Sequence, residues 1–473
     1  MAVSIKTRIG GPAGAGLMAL GVVGAGCDPH PASARTAAIH RPETVRRVAI
    51  AVAIVTPVST RTRTWTGVIG PGLLVAAAGI GAGDIVSATM AGSAHGLTLL
   101  WVVVLAAFLK AFLNEGIARW QLATGSTALE GWSVHLPWWV GLYFVFYLVI
   151  WTVSVSAALT SASGLGIANL TNGAVPRPIG AIAHSLIGGA LVLIGGFAAF
   201  ERVMKTLIAV MFFSIIACAV LTLHDPAGTI SGLLVPSIPA GGGLSVLSVL
   251  GGIGGSIAML AYNYWLREQR MAGPQWLGFV RADIAIAYVF TAVFGISIMI
   301  VAHQAFHVPG VAITNAQAVT KMAETLGATI GPVGFYAYSI GFWAAVFASL
   351  LGVWQSLPYL FADCYGLMRQ YPAEERARLT AVTSTPYRLA LLFITVVPIP
   401  FAFIDQPLII VRTFTIVGSL FIPFLAATLL YLNNVRIPID CGVPRNTVVT
   451  NVVLVFALIL FAIVGASEAG FGR

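Results

Sequence analysis

The sequence predicts an all-α polytopic membrane protein of about eleven transmembrane helices, arranged as a five-plus-five inverted repeat whose first and sixth helices are interrupted. Three observations carry that fold class. Apolar runs of about 20 residues, each able to cross a hydrocarbon core of roughly 30 Å as a helix, recur from Gly67 to Ala466. Lys and Arg are rich and poor by turns in the short loops between the runs. The first and sixth runs are both broken by glycine clusters. Composition agrees, since the 473 residues are 58% hydrophobic and only 9% charged, against roughly a quarter charged in soluble domains, and mean hydropathy is +0.93. The net charge of +9 would suggest nucleic acid in a soluble domain. Here the bases sit in short loops and in an N-terminal extension, where topology accounts for them.

Residues 1–66 differ from the rest, with Arg, Ala, Gly, Pro and Thr dominating, and are read as a disordered basic extension. A signal peptide ending at Cys27 is disfavoured, because Gly24 is a poor match three residues before it and cleavage would invert the next span. Residues 67–466 form the transmembrane domain, and 467–473 a short tail. Within the domain, helices are expected near Gly67–Ala91, Thr98–Trp120, Trp138–Leu165, Ile179–Phe200, Val203–Leu223, Ser245–Leu266, Val280–Gln304, Gly331–Phe361, Tyr387–Ile404, Leu408–Leu432 and Asn446–Ala466. With a cytoplasmic N-terminus, the inner loops hold Arg61, Arg63, Arg119, Arg202, Lys205, Arg267, Arg270, Arg281, Arg369, Arg376, Arg378, Arg388, Arg436 and Arg445. The outer loops keep Arg177, Lys321, Arg412 and Arg473. Cys27, Cys218, Cys364 and Cys441 are far apart and imply neither a disulfide framework nor a zinc site.

Within Ala76–Ala91, read AAAGIGAGDIVSATMA, Gly79, Gly81 and Gly83 interrupt the first span and Asp84 follows. Freed carbonyls at membrane depth are tolerated only where they line a cavity or are buried in protein, and an Asp beside them completes a cation site. The alternative is a glycine-smoothed packing face with Asp84 paired to a neighbouring helix. An Asp at a helix centre costs roughly 2.5–3.5 kcal/mol, so it needs a cation or a partner such as Lys110, halfway along the second span. Lys110 is in turn read as a fixed internal cation or as the partner of Asp84 or Asp363. The sixth span carries Gly251, Gly252, Gly254 and Gly255 and continues SIAMLAYNYWLRE, with Met259, Tyr262 and Asn263 as cavity candidates or as core and backbone-satisfying groups. Gln355 in the eighth span is a further polar candidate, and Pro358 marks a kink there. Glu115 with Arg119, and Glu268 with Arg267 and Arg270, are read as solvated structural pairs. His303 and His307 share the spacing of metal-binding pairs but are read as surface histidines. No phosphate loop, nucleophile elbow, zinc-protease motif or nucleic-acid signature appears, so an enzyme is not expected.

The chain resembles the Nramp family of divalent-metal transporters, which share the LeuT-type fold of the amino-acid and cation symporters. The likeness is carried by GPGLLVAAAGIGAGDIVSATMAGSAHGLTLLWVVV from Gly70 to Val104, by ARWQLATG from Ala118 to Gly125, by GLLVPSIPAGGG before the sixth span and by LFIPF from Leu420 to Phe424. In register with the family's Asp-Pro-Gly-Asn motif stand Gly81, Ala82, Gly83 and Asp84, so the carboxylate has moved. Its Met-Pro-His-Asn motif matches Ala258, Met259, Leu260 and Ala261, its helix-ten Gln matches Phe421, and its acidic proton route in helix three is missing. The resemblance implies a metal site at Asp84, Gly81, Ala258 and Met259, flanked by a cavity with Tyr262, Asn263, Lys110 and Gln355. Oxygen ligands without imidazole suit hard cations, similar to the family's magnesium-transporting branch. The expected function is a secondary transporter of a divalent cation by alternating access, with weak or no proton coupling, in the plasma membrane. The cation is substrate, no cofactor is expected, and the partners are the ion and the lipid bilayer, with no nucleic acid and no obligate protein partner. The alternative is a same-fold transporter of an amino acid or other organic solute, with Lys110 replacing a coupling cation; a transport-dead sensor is a third class.

Overall fold

The computed structural model describes residues 71–306, 317–404 and 406–468; the N-terminal extension lies outside them, as does His307. Helices α1 (Pro71–Gly79) and α2 (Ala82–His95) form one span bent by 55°. They are followed by α3 (Leu100–Thr124), the short α4 (Ala128–His135), α5 (Trp138–Leu170), α6 (Arg177–Leu221) and the short α7 (Pro226–Leu234). The second half runs through α8 (Gly243–Gly252), α9 (Ala261–Glu268), α10 (Leu277–Phe306), α11 (Gln317–Ile330) and α12 (Pro332–Met368). It ends with α13 (Ala373–Leu379), α14 (Thr385–Val396), α15 (Pro407–Ser419), α16 (Phe421–Tyr431) and α17 (Val448–Glu468).

Among the described residues, nine helical stretches are long and apolar enough to cross a membrane, and the bent pair makes a tenth. One of the nine, α6, is 45 residues long, about 67 Å at the α-helical rise and more than twice a hydrocarbon core. Gly196, at φ 64° and ψ 171°, divides it into two helices. These are the fourth and fifth spans expected from the sequence, so the count of about eleven holds. The chain is an integral membrane protein of all-α class.

Local chemistry sets the ends. Thr127 and Glu130 open α4 with reciprocal bonds, Glu130 N–H to Thr127 Oγ1 at 3.2 Å and Thr127 N–H to Glu130 Oε2 at 2.9 Å. The segments next to the breaks lie innermost: α2 and α8 from Val246 onward are buried, as is most of α12, whereas α17 exposes much of its surface. Ile194 (81% exposed) and Phe213 (74%) on α6 are outward apolar groups suited to lipid rather than water. Pro358 stands inside the continuous α12.

Candidate functional site

The two interrupted helices cross backbone to backbone, and glycine makes that possible. A methyl group on Gly79 would lie 2.7 Å from the carbonyl carbon of Gly254, and one on Gly252 would lie 2.7 Å from the carbonyl oxygen of Gly83. Gly254 and Gly255 also take φ of 76° and 71°, the left-handed region that glycine enters without cost.

Asp84 sits in this crossing, fully buried. Its Oδ2 accepts from Gly81 N–H at 3.0 Å, closing the first turn of α2 as a cap. Its Oδ1 accepts from Gly254 N–H at 2.9 Å. One carboxylate therefore holds the bared N-terminus of α2 and the unwound segment after α8, a placement favoured by the positive pole of a helix.

Lys110 reaches the same crossing from α3 and is also fully buried. Its ammonium donates to Gly251 O at 3.0 Å and to Ile253 O, the bared carbonyl end of α8. Ser256 Oγ donates to Gly251 O as well, at 3.1 Å. Among the described residues no ion pair within 4.0 Å joins Lys110 to Asp84 or to Asp363. Asp363 instead accepts from Tyr264 Oη at 2.8 Å and Thr127 Oγ1 at 3.1 Å.

The remaining candidates have partners of their own. Ala258 and Met259 lie in a single tight turn, Ile257–Leu260, and are buried. Gly81 O accepts from Ile85 N–H at 3.1 Å and Ala258 O from Ala261 N–H, leaving each carbonyl a second lone pair. Tyr262 Oη donates to Asp283 Oδ2 at 3.0 Å, and Gly72 N–H donates to the same oxygen at 2.6 Å. Asn263 donates to Ile117 O at 3.3 Å and accepts from Ala128 N–H at 3.1 Å. Gln355 accepts from Trp265 Nε1 at 2.7 Å and donates to Tyr359 Oη at 2.8 Å. The structure thus gathers Asp84, Gly81 and Lys110 at the crossing and engages Tyr262, Asn263 and Gln355 in side-chain bracing between helices.

The paired charges beyond the crossing resolve differently. Glu115 and Arg119 meet at 2.6 Å as expected, but Arg119 is buried and Arg281 joins at 2.8 Å. Arg267 corrects the second expectation: it pairs with Glu130 at 3.3 Å, while Glu268 accepts from Tyr359 Oη at 3.1 Å. The α9 terminus faces α4 and α12, which spacing along one helix does not reveal.

Sequence reading passed over three residues. Asp283, on α10, bonds α1 to α9 by accepting from Gly72 N–H and Tyr262 Oη. Tyr288 is buried against Gly254, where an added methyl would lie 3.1 Å from its ring, and among the described residues its hydroxyl has no hydrogen-bond partner. Asn114 is fully buried, with both amide atoms unpartnered among the described residues. Its signal was readable, since it stands four residues from Lys110 on one face of an apolar helix. Among the described residues no group of three His, Cys, Asp or Glu side chains is placed to hold a metal, so a cation at the crossing would draw on carbonyl oxygens beside Asp84.

Residues 72–468 match the family model for natural resistance-associated macrophage protein-like (Nramp) proteins. The chain is 26% identical over 262 residues to a divalent metal cation transporter MntH of Chromohalobacter salexigens, and 24% identical over 265 residues to one of Granulibacter bethesdensis; each match covers 52% of this chain and 58% of the relative. The chain thus spans little more than half the length of these curated relatives. A manganese transporter of Eremococcus coleocola superposes with a TM-score of 0.62 at 16% identity, over 87% of this chain and 88% of the other. MhsT, solved with L-phenylalanine, superposes with a TM-score of 0.54 at 15% identity, over 84% of this chain and 98% of the other. These two likenesses show the fold alone.

Proposed function

The chain belongs to the Nramp family, and on that footing we propose that it is a secondary transporter of a divalent metal cation, with Asp84 as the anionic ligand. The observation that carries the reading is the position of Asp84: a fully buried carboxylate at the point where both interrupted helices meet. Paired broken helices mark the substrate site of transporters built as inverted repeats. The relatives named for divalent metal transport support the cargo class. Alternating access then follows from rocking of one bundle against the other around this crossing, with the N-terminus cytoplasmic. The carboxylate and carbonyl oxygens at the crossing favour a hard ion such as magnesium. Weak or absent proton coupling accords with a fifth helix, α5, that carries no acidic residue.

The test is uptake into proteoliposomes of magnesium and manganese, with internal pH monitored. Uptake of at least one ion, lost by tenfold or more in Asp84→Ala, is the expected result. Entry of neither ion, or an unaffected Asp84→Ala, overturns it, and robust acidification overturns the weak coupling. A second reading, an organic-solute transporter, is favoured by one observation: the carbonyl end of α8 is already taken by Lys110. An amino-acid mixture in the same vesicles separates the two.

A further inference from the structure

We propose that the Lys110 ammonium is a resident cation of this fold, tethered by its own side chain in the carbonyl cage at the end of α8, where a free monovalent ion would otherwise be needed. The proposal concerns the crossing of the broken helices and holds whichever cargo is carried.

The cage is made of backbone. Gly251 and Ile253 present their carbonyls where α8 stops, and both residues are buried. The last carbonyls of a helix have no partner within it and form its negative pole. At membrane depth each unpaired one costs several kcal/mol, so this end requires a cation or a donor. Lys110 supplies both, with two of its three N–H groups spent on Gly251 and Ile253. It comes from mid-helix, has no exposed surface and has no route to the interface.

The neighbourhood fits a small cation rather than a mere hydrogen-bond donor. Asp84 stands across the unwound segment, joined to it through Gly254 N–H, and balances the ammonium's charge. The Tyr288 ring lies against Gly254, and among the described residues its buried hydroxyl has no partner; Asn114 lies one helical turn along α3 with its amide oxygen unspent among the same residues. Oxygens of carbonyl, hydroxyl and amide type are the ligands a sodium or potassium ion takes. The tether changes one property: a covalently held cation cannot dissociate, so this end of α8 stays closed whatever the monovalent ion outside.

Thermal melting of the full chain in detergent tests this, using wild type, Lys110→Ala and Lys110→Met. Each is titrated in choline chloride with sodium, potassium or methylammonium chloride at constant ionic strength. The wild type is expected to melt at the same temperature in all four salts. Lys110→Ala should melt about 5–10 °C lower in choline and recover at least half of the loss, saturably, in methylammonium or sodium. Lys110→Met, which fills the space without charge, should be lowered and not recover. A wild type stabilised by sodium or potassium, a Lys110→Ala that melts like wild type in choline, or one that no cation restores overturns the proposal. If Lys110→Ala does not accumulate, Lys110→Met decides: a melting temperature equal to wild type in choline overturns it, and a lowered one supports it. Because the melts are run without divalent metal or organic solute, failure of the metal reading and failure of this one are read in separate experiments.

Discussion

At the first break two residues, Ile80 and Gly81, separate α1 from α2; at the second, eight residues from Ile253 to Leu260 separate α8 from α9. The first break bares the N-terminus of α2, and the group that answers it is Asp84, three residues further along the same chain. The second bares the C-terminus of α8, and the group that answers it is Lys110, from another helix. Opposite poles call for opposite charges. The difference teaches that the short break is capped by a carboxylate of its own segment, whereas the long one, although Ser256 Oγ reaches back to Gly251 O, takes its charged cap from another helix. Gly254 links the two solutions, because its N–H binds the carboxylate that caps the first break.

Gly251→Ala attacks the comparison hardest. Its methyl would lie 1.9 Å from the carbonyl oxygen of Thr415, a backbone atom that cannot step aside. A cost of about 3 kcal/mol or more is expected, visible as loss of the monodisperse peak in gel filtration; normal yield and melting would show that α8 can shift without harm.

Asp84→Asn is expected to cost about 1–3 kcal/mol in unfolding experiments, since the amide keeps one acceptor and turns an N–H towards the N–H of Gly81 or Gly254. If the two breaks are coupled through Gly254, combining it with Lys110→Met should cost less than the separate losses added together, with an interaction of about 0.5 kcal/mol or more. Strict additivity would mean that the caps act independently.

Ser256→Ala is the mildest perturbation. Gly251 O keeps Lys110 and loses only the hydroxyl at 3.1 Å, so about 0.5–1.5 kcal/mol is expected in the same unfolding assay. A loss as large as that of Lys110→Met would make the serine, rather than the ammonium, the principal cap.

Much of this molecule was legible in its residues. Span length is a property of consecutive apolar residues, so the passes were readable one by one, including the pair inside α6 that Gly196 divides. Both breaks were readable because clustered glycines stand at matching places in the first and sixth apolar runs, as an inverted repeat requires. Asp84 as a neighbour of the first break was readable for the same local reason: a cap acts over three residues. Tyr262 and Asn263 were not legible in the same way. Their polar atoms were free to face the break or the neighbouring helices, and packing turned them to Asp283, Ile117 and Ala128.

Sequence alone therefore determined the class of fold, the positions of the two interruptions and the acid beside the first. The partner of Lys110 was decided only by tertiary structure. Spacing along α3 left a choice between a fixed internal cation and a pair with Asp84 or Asp363. The oxygens it binds are 141 and 143 residues away, and which atoms meet over that separation depends on how α3 packs against α8.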